Sequence, residues 1–571
     1  METLTGLDAT FLYLESPETP MHVGSFNLCE LPKGFRGSFH KAVTKHLASR
    51  LHLAPVFSRK LVFMPLDLGH PLWVEADSVD ISFHVRRVEP PQASTAPRGG
   101  SAAHEVASVG AKSFRRADSA NKQGAPMTLA AAHKRCAQFH SELIDRNFPL
   151  WEFYIFDRIK LPESMGGKIV GGFFSKIHHA ALDGKGGVML ANALLDFTPV
   201  PRKVAPPDPA RRRKLERDLK LGEMIGSVFS SSLAQLAKAA RLLPSAASTL
   251  GSTLGSAISS ALSTEVIGKA AGSQSRLPVR LAPQTPFNTG IGAGRVFVTA
   301  TVPLAECKAM GKAVGGSLND VILWICSTAL RDYLTVHASL PKKSLVAAMP
   351  VSLREAGTND VTSLGNQVSM SLVELGTQLA HPLKRMNAIM ASTAKVKSRV
   401  SSLKGFLPTD YPSLLAPWLV GGAARLALNA VGKTQLIKRL PMLANLAISN
   451  VPGPTVPLYL AGAKFISFHP LSIIVHGLAL NITIQTYVGH VDFGIVADKK
   501  ALPHANHLAK AIATAFRQAQ TVFSSAAEDE IFDEKTACVR VLKATKHIKL
   551  EEPPSARRGS GHNTAPVAHN E

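Results

Sequence analysis

Two adjacent histidines, then a carboxylate and a glycine, make His178-His179-Ala180-Ala181-Leu182-Asp183-Gly184 the segment of this 571-residue chain best suited to chemistry. An imidazole titrates at about pH 6.5, so it accepts a proton near neutrality without large tuning. A base held in place typically contributes about 10²–10⁴-fold to a rate. One reaction needs little more: moving an acyl group from a thioester to an alcohol. The thiolate leaves readily, so no covalent acyl-enzyme is required, and His179 takes the hydroxyl proton before returning it to sulfur. Metal ligation and a plain packing role compete with this reading. Adjacent strand residues point to opposite faces, and no second His/Asp/Glu cluster completes a metal shell. Asp183 reads as one half of an ion pair that fixes the loop rather than as a direct partner of His179.

The elements that must position these residues are legible on either side. Lys168 to Ile177 is apolar, carries Gly and Phe and lacks proline, which predicts a buried strand ending at the histidines. Val188 to Leu195 predicts a helix after them. Phe39, Val43, Leu47 and Leu51 recur every four positions, a core-facing helical stripe. Leu478, Leu480, Ile482 and Ile484 alternate with smaller or polar residues, and Gly489-His490 turns that strand into a partner at 491–496. Strands and helices mixed in both halves indicate an α/β or α+β architecture.

The length exceeds one compact core, so two domains of about 200 residues are expected. The boundaries fall at 1–200 for an N-terminal domain, 201–285 for a basic, partly helical linker, 286–535 for a C-terminal domain and 536–571 for a disordered tail. Residues 90–126, rich in Pro, Ala, Ser and basic side chains, read as a disordered insertion. The linker pairs Arg211-Arg212-Arg213-Lys214 with a Ser/Ala/Leu-rich stretch. That stretch is either an interfacial lipid contact or a helix packed on its own domains.

Lys and Arg number 64 against 41 Asp and Glu, a formal charge of +23, which favours an anionic membrane surface or a phosphorylated small molecule. Aromatics are 6% of the chain and no nucleic-acid module is recognisable, so a nucleic-acid partner is not expected. Cys29, Cys136, Cys307, Cys326 and Cys538 are scattered and odd in number, which suits a reducing compartment. Neither a signal-peptide pattern nor an uninterrupted apolar run of spanning length is seen. There is no G-x-S-x-G elbow and no phosphate-binding G-x-x-x-x-G-K-[ST], and Gly290 to Arg295 misses the dinucleotide fingerprint at its last position.

Seven motifs follow one another along the chain: Leu7 to Glu15 with Pro20-Met21-His22-Val23-Gly24; Pro149-Leu150-Trp151-Glu152; His178 to Gly184; Ser317-Leu318-Asn319-Asp320-Val321; Pro350 to Arg354; Gly365-Asn366-Gln367; and Asn450-Val451-Pro452-Gly453-Pro454. Their order resembles the bacterial wax ester synthase/diacylglycerol acyltransferase family, within the CoA-dependent acyltransferases that share H-x-x-x-D-G. The resemblance implies two similar chloramphenicol-acetyltransferase-like domains, mixed sheets flanked by helices, with a tunnel between them. It implies acyl-CoA as donor substrate, a long-chain alcohol or diacylglycerol as acceptor, and no cofactor. His179 maps onto the general base with His178 beside it, and Asp183 onto a structural aspartate whose salt-bridge partner is Arg354. Gly184, Asn319, Asp320 and Arg354 are then expected on the substrate side, although Asn319 and Asp320 equally suit a helix cap. A cytoplasmic enzyme peripheral to the inner membrane or lipid inclusions is implied. The competing identities are a condensation-type amide or ester former and a non-catalytic lipid-droplet coat protein.

Overall fold

The computed structural model describes residues 2–63, 70–76, 78–90, 125–182, 184–206, 281–352, 368–403 and 442–525. The insertion expected at 90–126, nearly all of the linker, the tail, Asp183, Arg354 and Gly365-Asn366-Gln367 lie outside them. Two large mixed sheets dominate. The eight-stranded sheet centres on Ile169–His178, which runs antiparallel to His22–Glu30 on one side and Trp151–Lys160 on the other. The six-stranded sheet runs Val368–Glu374, Val346–Ser352, Leu446–Val451, Leu480–Tyr487, His490–Asp498, Arg295–Pro303.

The periodicities of the sequence lead directly to these elements. The histidine strand spans Ile169–His178, followed by a helix at Gly184–Leu194. The stripe at 39–51 forms the helix Phe39–Ala48, which Ser38 opens by accepting from the Lys41 N–H, and it buries Phe39, Val43 and Leu47. Each such side chain removed from water is worth about 1.5–3 kcal/mol. Leu480–Tyr487 and His490–Asp498 pair antiparallel through the turn at Val488-Gly489. The helix Leu318–His337 is covered almost all round and fills the core beneath the second sheet. Among the described residues no single helix is long and apolar enough to cross a membrane.

Three short strands from the second half, Tyr459–Leu460, Ala463–Phe465 and His469–Leu471, join the first sheet, the last two against His22–Glu30. These strands carry two or three residues each, too few for a periodic signal. Their approach depends on Gly494 of the second sheet, where an added Cβ would stand 1.7 Å from the Pro470 carbonyl oxygen. Any side chain there pushes the crossing segment away.

Candidate active site

Three motif segments converge where the central strand ends. The His178 N–H donates to the Leu150 carbonyl of Pro149-Leu150-Trp151 (3.0 Å), and the His179 N–H donates to the Met21 carbonyl (2.8 Å). His22 stands directly opposite His178 across the strand pair. Trp151 is fully buried and its indole N–H donates to the Phe57 carbonyl, which anchors the neighbouring strand. The backbone of the histidine pair is therefore held from both flanks.

The two imidazoles differ in every respect that matters for chemistry. His178 is wholly buried. Its Nδ1 accepts from the Ala180 N–H at 3.1 Å, so the proton of the neutral ring resides on Nε2. That nitrogen lies 3.3 Å from Glu15 Oε1, an electrostatic contact rather than an aligned hydrogen bond. The motif places His178 among the catalytic residues, but both ring nitrogens face protein and it caps the short turn His179–Ala181. His179 begins that turn, half-buried, with its ring stacked on Phe11 at 3.9 Å and 16°. Its Nδ1 is buried without a hydrogen-bond partner, and Nε2 has none either among the described residues. Burial lowers its pKa to about 4; its own carbonyl pulls upward and His178 pushes further down. The ring is neutral at pH 7.

Glu15, the last residue of the first motif, carries a site role that the motif did not disclose. It is 3% exposed, and its Oε1 accepts from the Met21 N–H while facing His178 and His22, each at 3.3 Å. Its Oε2 accepts from two nitrogens of Arg146, at 2.7 and 3.2 Å. Burial raises this carboxyl's pKa, but the imidazoles of His178 and His22 outweigh it and hold the group well below the usual carboxylate range. Burial takes His22 down to about 4 against the pull of Glu15. A local signal existed in the run Leu14-Glu15-Ser16-Pro17, an acidic side chain at the end of an apolar helix, but none of its partners is close in sequence.

The remaining predicted residues gather elsewhere. Asp320 is buried and closes a capping box: Oδ2 accepts from the N–H (2.8 Å) and hydroxyl (2.6 Å) of Ser317, and Oδ1 from the Thr393 hydroxyl (2.7 Å). Of its two expected roles the structure gives the helix cap, and both oxygens are occupied. Asn319 accepts from the Asn450 amide at 3.3 Å, which joins the Asn-Asp motif to Asn450–Pro454. Among the described residues no hydrogen bond or ion pair links this pair to the histidine cluster. Gly184 opens the helix after the motif, while Asp183 and Arg354 fall outside the described residues. Also among the described residues, no group of three His, Cys, Asp or Glu side chains is arranged to hold a metal ion.

The profile of the wax ester synthase/diacylglycerol acyltransferase catalytic domain matches residues 4–97 and 124–322, and that of the family's C-terminal domain matches 364–520. The chain belongs to this family. It is an acyltransferase. A putative diacylglycerol O-acyltransferase of Mycobacterium tuberculosis H37Rv is 30% identical over 523 residues, covering 90% of this chain and 98% of the relative. The O-acyltransferase WSD of Acinetobacter baylyi is 28% identical over 511 residues, 89% of this chain and 94% of that one. The solved wax ester synthase/diacylglycerol acyltransferase of Marinobacter aquaeolei VT8 shares the fold, with a TM-score of 0.59 at 23% identity over 92% of this chain and all of that one. The acyltransferase's catalytic-domain match breaks at 98–123, within the segment read as an insertion.

Proposed function

We propose that this acyltransferase moves a fatty acyl group from acyl-CoA to the hydroxyl of a long-chain alcohol or a diacylglycerol, with His179 as general base. The observation that carries the reading is the contrast within the motif: His178 is spent on structure, whereas His179, on a ring held flat against Phe11, keeps Nε2 without a hydrogen-bond partner among the described residues. The neutral ring takes the proton as the alcohol oxygen attacks the thioester carbonyl. The tetrahedral intermediate collapses, the C–S bond breaks, and the imidazolium returns its proton to the CoA thiolate. An imidazolium of pKa about 4 is a strong enough acid to protonate that sulfur readily. The thioester brings its own activation, so this scheme calls for no cofactor.

Glu15 acts as a positioning residue through His178, and the +23 formal charge supports peripheral work at an anionic lipid surface, inside the cytoplasm. The names of the relatives support an oxygen acceptor. The test is acyl transfer from radiolabelled palmitoyl-CoA to hexadecanol or dioleoylglycerol, run beside His179→Ala. A fall of about 10²-fold or more is expected with either acceptor. Near-full activity in the variant rejects His179 as the base.

A further inference from the structure

A base that takes its proton from one defined oxygen needs its ring held at one angle, because a misplacement of about 1 Å can cost about 10²-fold. In a serine–histidine–aspartate triad the carboxylate does the holding, through the far ring nitrogen. Among the described residues His179 has no such partner: Nδ1 is buried without a hydrogen bond, and Nε2 lacks one too. What meets this ring is a face. Phe11 lies nearly parallel to it, with the centroids 3.9 Å apart and the planes 16° from coincidence.

Packing sets that face in place. Phe11 belongs to the helix Gly6–Leu14, which Thr5 opens by accepting from the Asp8 N–H at 3.2 Å. Ala9 and Leu12 of this helix are buried with Leu150 and Ala180, and Phe11 packs on the same cluster. Ala180 is the middle residue of the turn that His179 begins, so helix and turn share one apolar contact. Four residues after Phe11, at the end of the helix, Glu15 reaches His178. One helix thus brings a partner to each motif histidine: a carboxylate to the structural ring, a hydrocarbon face to the reacting one. The difference has a chemical consequence. A carboxylate beside His179 would hold the imidazolium in an ion pair and slow the return of its proton to sulfur. A phenyl face attracts a cation lying within about 6 Å of its centroid, yet makes no hydrogen bond that must later break.

We propose that Phe11 is the positioning residue of His179: its ring face fixes the plane of the imidazole and steadies the imidazolium while the alcohol's proton is in transit. The inference rests on His179 being the general base.

The test makes two replacements in the full-length enzyme. Phe11→Leu keeps apolar bulk without a π face, and trifluorophenylalanine at position 11 keeps the shape but withdraws electron density from the face. Acyl transfer from palmitoyl-CoA to hexadecanol is measured beside denaturant midpoints. Phe11→Leu should lower kcat about tenfold with KM changed less than about twofold, as the loss of an interaction made in the transition state requires. The fluorinated ring should lower kcat about threefold at an unchanged midpoint. Adding Phe11→Leu to His179→Ala should cost less than about twofold further, because a positioning residue acts only through the ring it positions. Full kcat with the fluorinated ring overturns the proposal, and that measurement decides alone should the leucine variant not fold. A rise in KM at constant kcat overturns it too, as does an equal cost of Phe11→Leu with and without His179. Near-full activity in His179→Ala rejects the base and this inference together. An inactive His179→Ala beside a fully active Phe11→Leu rejects this inference alone.

Discussion

The strand end at His178 and the groove at Arg295, between the helix Leu129–Ser141 and the strand Arg295–Pro303, both bury basic side chains, yet they treat them in different ways. At the strand end Glu15 gathers Arg146, His22 and His178 around one carboxylate. In the groove Arg295 donates to main-chain carbonyls of Gly292 and Glu18, with the Asp498 carboxylate facing it. The first arrangement shares one carboxylate among several bases; the second spreads one cation over several acceptors. A second contrast separates His178 from His179, one peptide bond apart.

The largest expected effect comes from removing the centre of the shared-carboxylate cluster. Glu15→Ala leaves the part-exposed Arg146 and two buried imidazoles without their partner and should cost about 2–3 kcal/mol, read from denaturant midpoints. His179→Ala removes no hydrogen bond of the described fold and should change stability by less than about 1 kcal/mol. Should the two variants unfold alike, the division into holding and reacting residues is wrong.

Acid separates His179 from the fold as a whole. Burial keeps His22 neutral to about pH 4 and His133 to about 3, and lowers His140, His84 and His469 as well. Unfolded histidines take up protons near about pH 6.5 while these do not, so stability is full above that value and declines as pH falls towards 4. Depressed carboxyls such as Glu15 extend the loss to lower pH, since they contribute only while ionised. Melting temperatures between pH 8 and pH 5 should drop steadily on the acid side. The rate measured before unfolding should hold nearly constant from about pH 7 to 5.5, because His179 stays deprotonated until about 4. A rate that halves near pH 6.5 places the base elsewhere.

Asp320→Asn weakens a capping box and should cost about 1 kcal/mol, with kcat altered little. A rate loss of about 10²-fold at unchanged stability assigns the Asn-Asp motif to chemistry instead. The smallest effect is a gain. Ala461 sits at φ +49° before Gly462 in a two-residue hairpin turn, a conformation asparagine tolerates better. Ala461→Asn should raise stability by about 0.5–1 kcal/mol without touching activity, again by denaturant midpoint.

Sequence reading reached whatever was periodic or local. The buried strand at 169–178, the helix at 39–48 and the hairpin at 480–498 announce themselves through spacing, and the histidine motif through its order among six others. Glu15 stayed hidden because its role comes from His22, His178 and Arg146, which the fold alone collects. Arg295 stayed hidden for a similar reason, since the Glu18 carbonyl and the Asp498 carboxylate come to it from distant segments. The motif grouped His178 with His179, and only the Ala180 N–H on its Nδ1 tells the two apart.

The strands at 459–471 also bear on how the polypeptide is made. A nascent chain that has emerged as far as His178 holds a sheet whose flank stays open until Leu471 follows. Synthesis proceeds at about 5–20 residues per second, so that open flank is exposed for tens of seconds and invites chaperone binding. Splitting the gene between the two sheets should therefore yield two insoluble fragments rather than two domains.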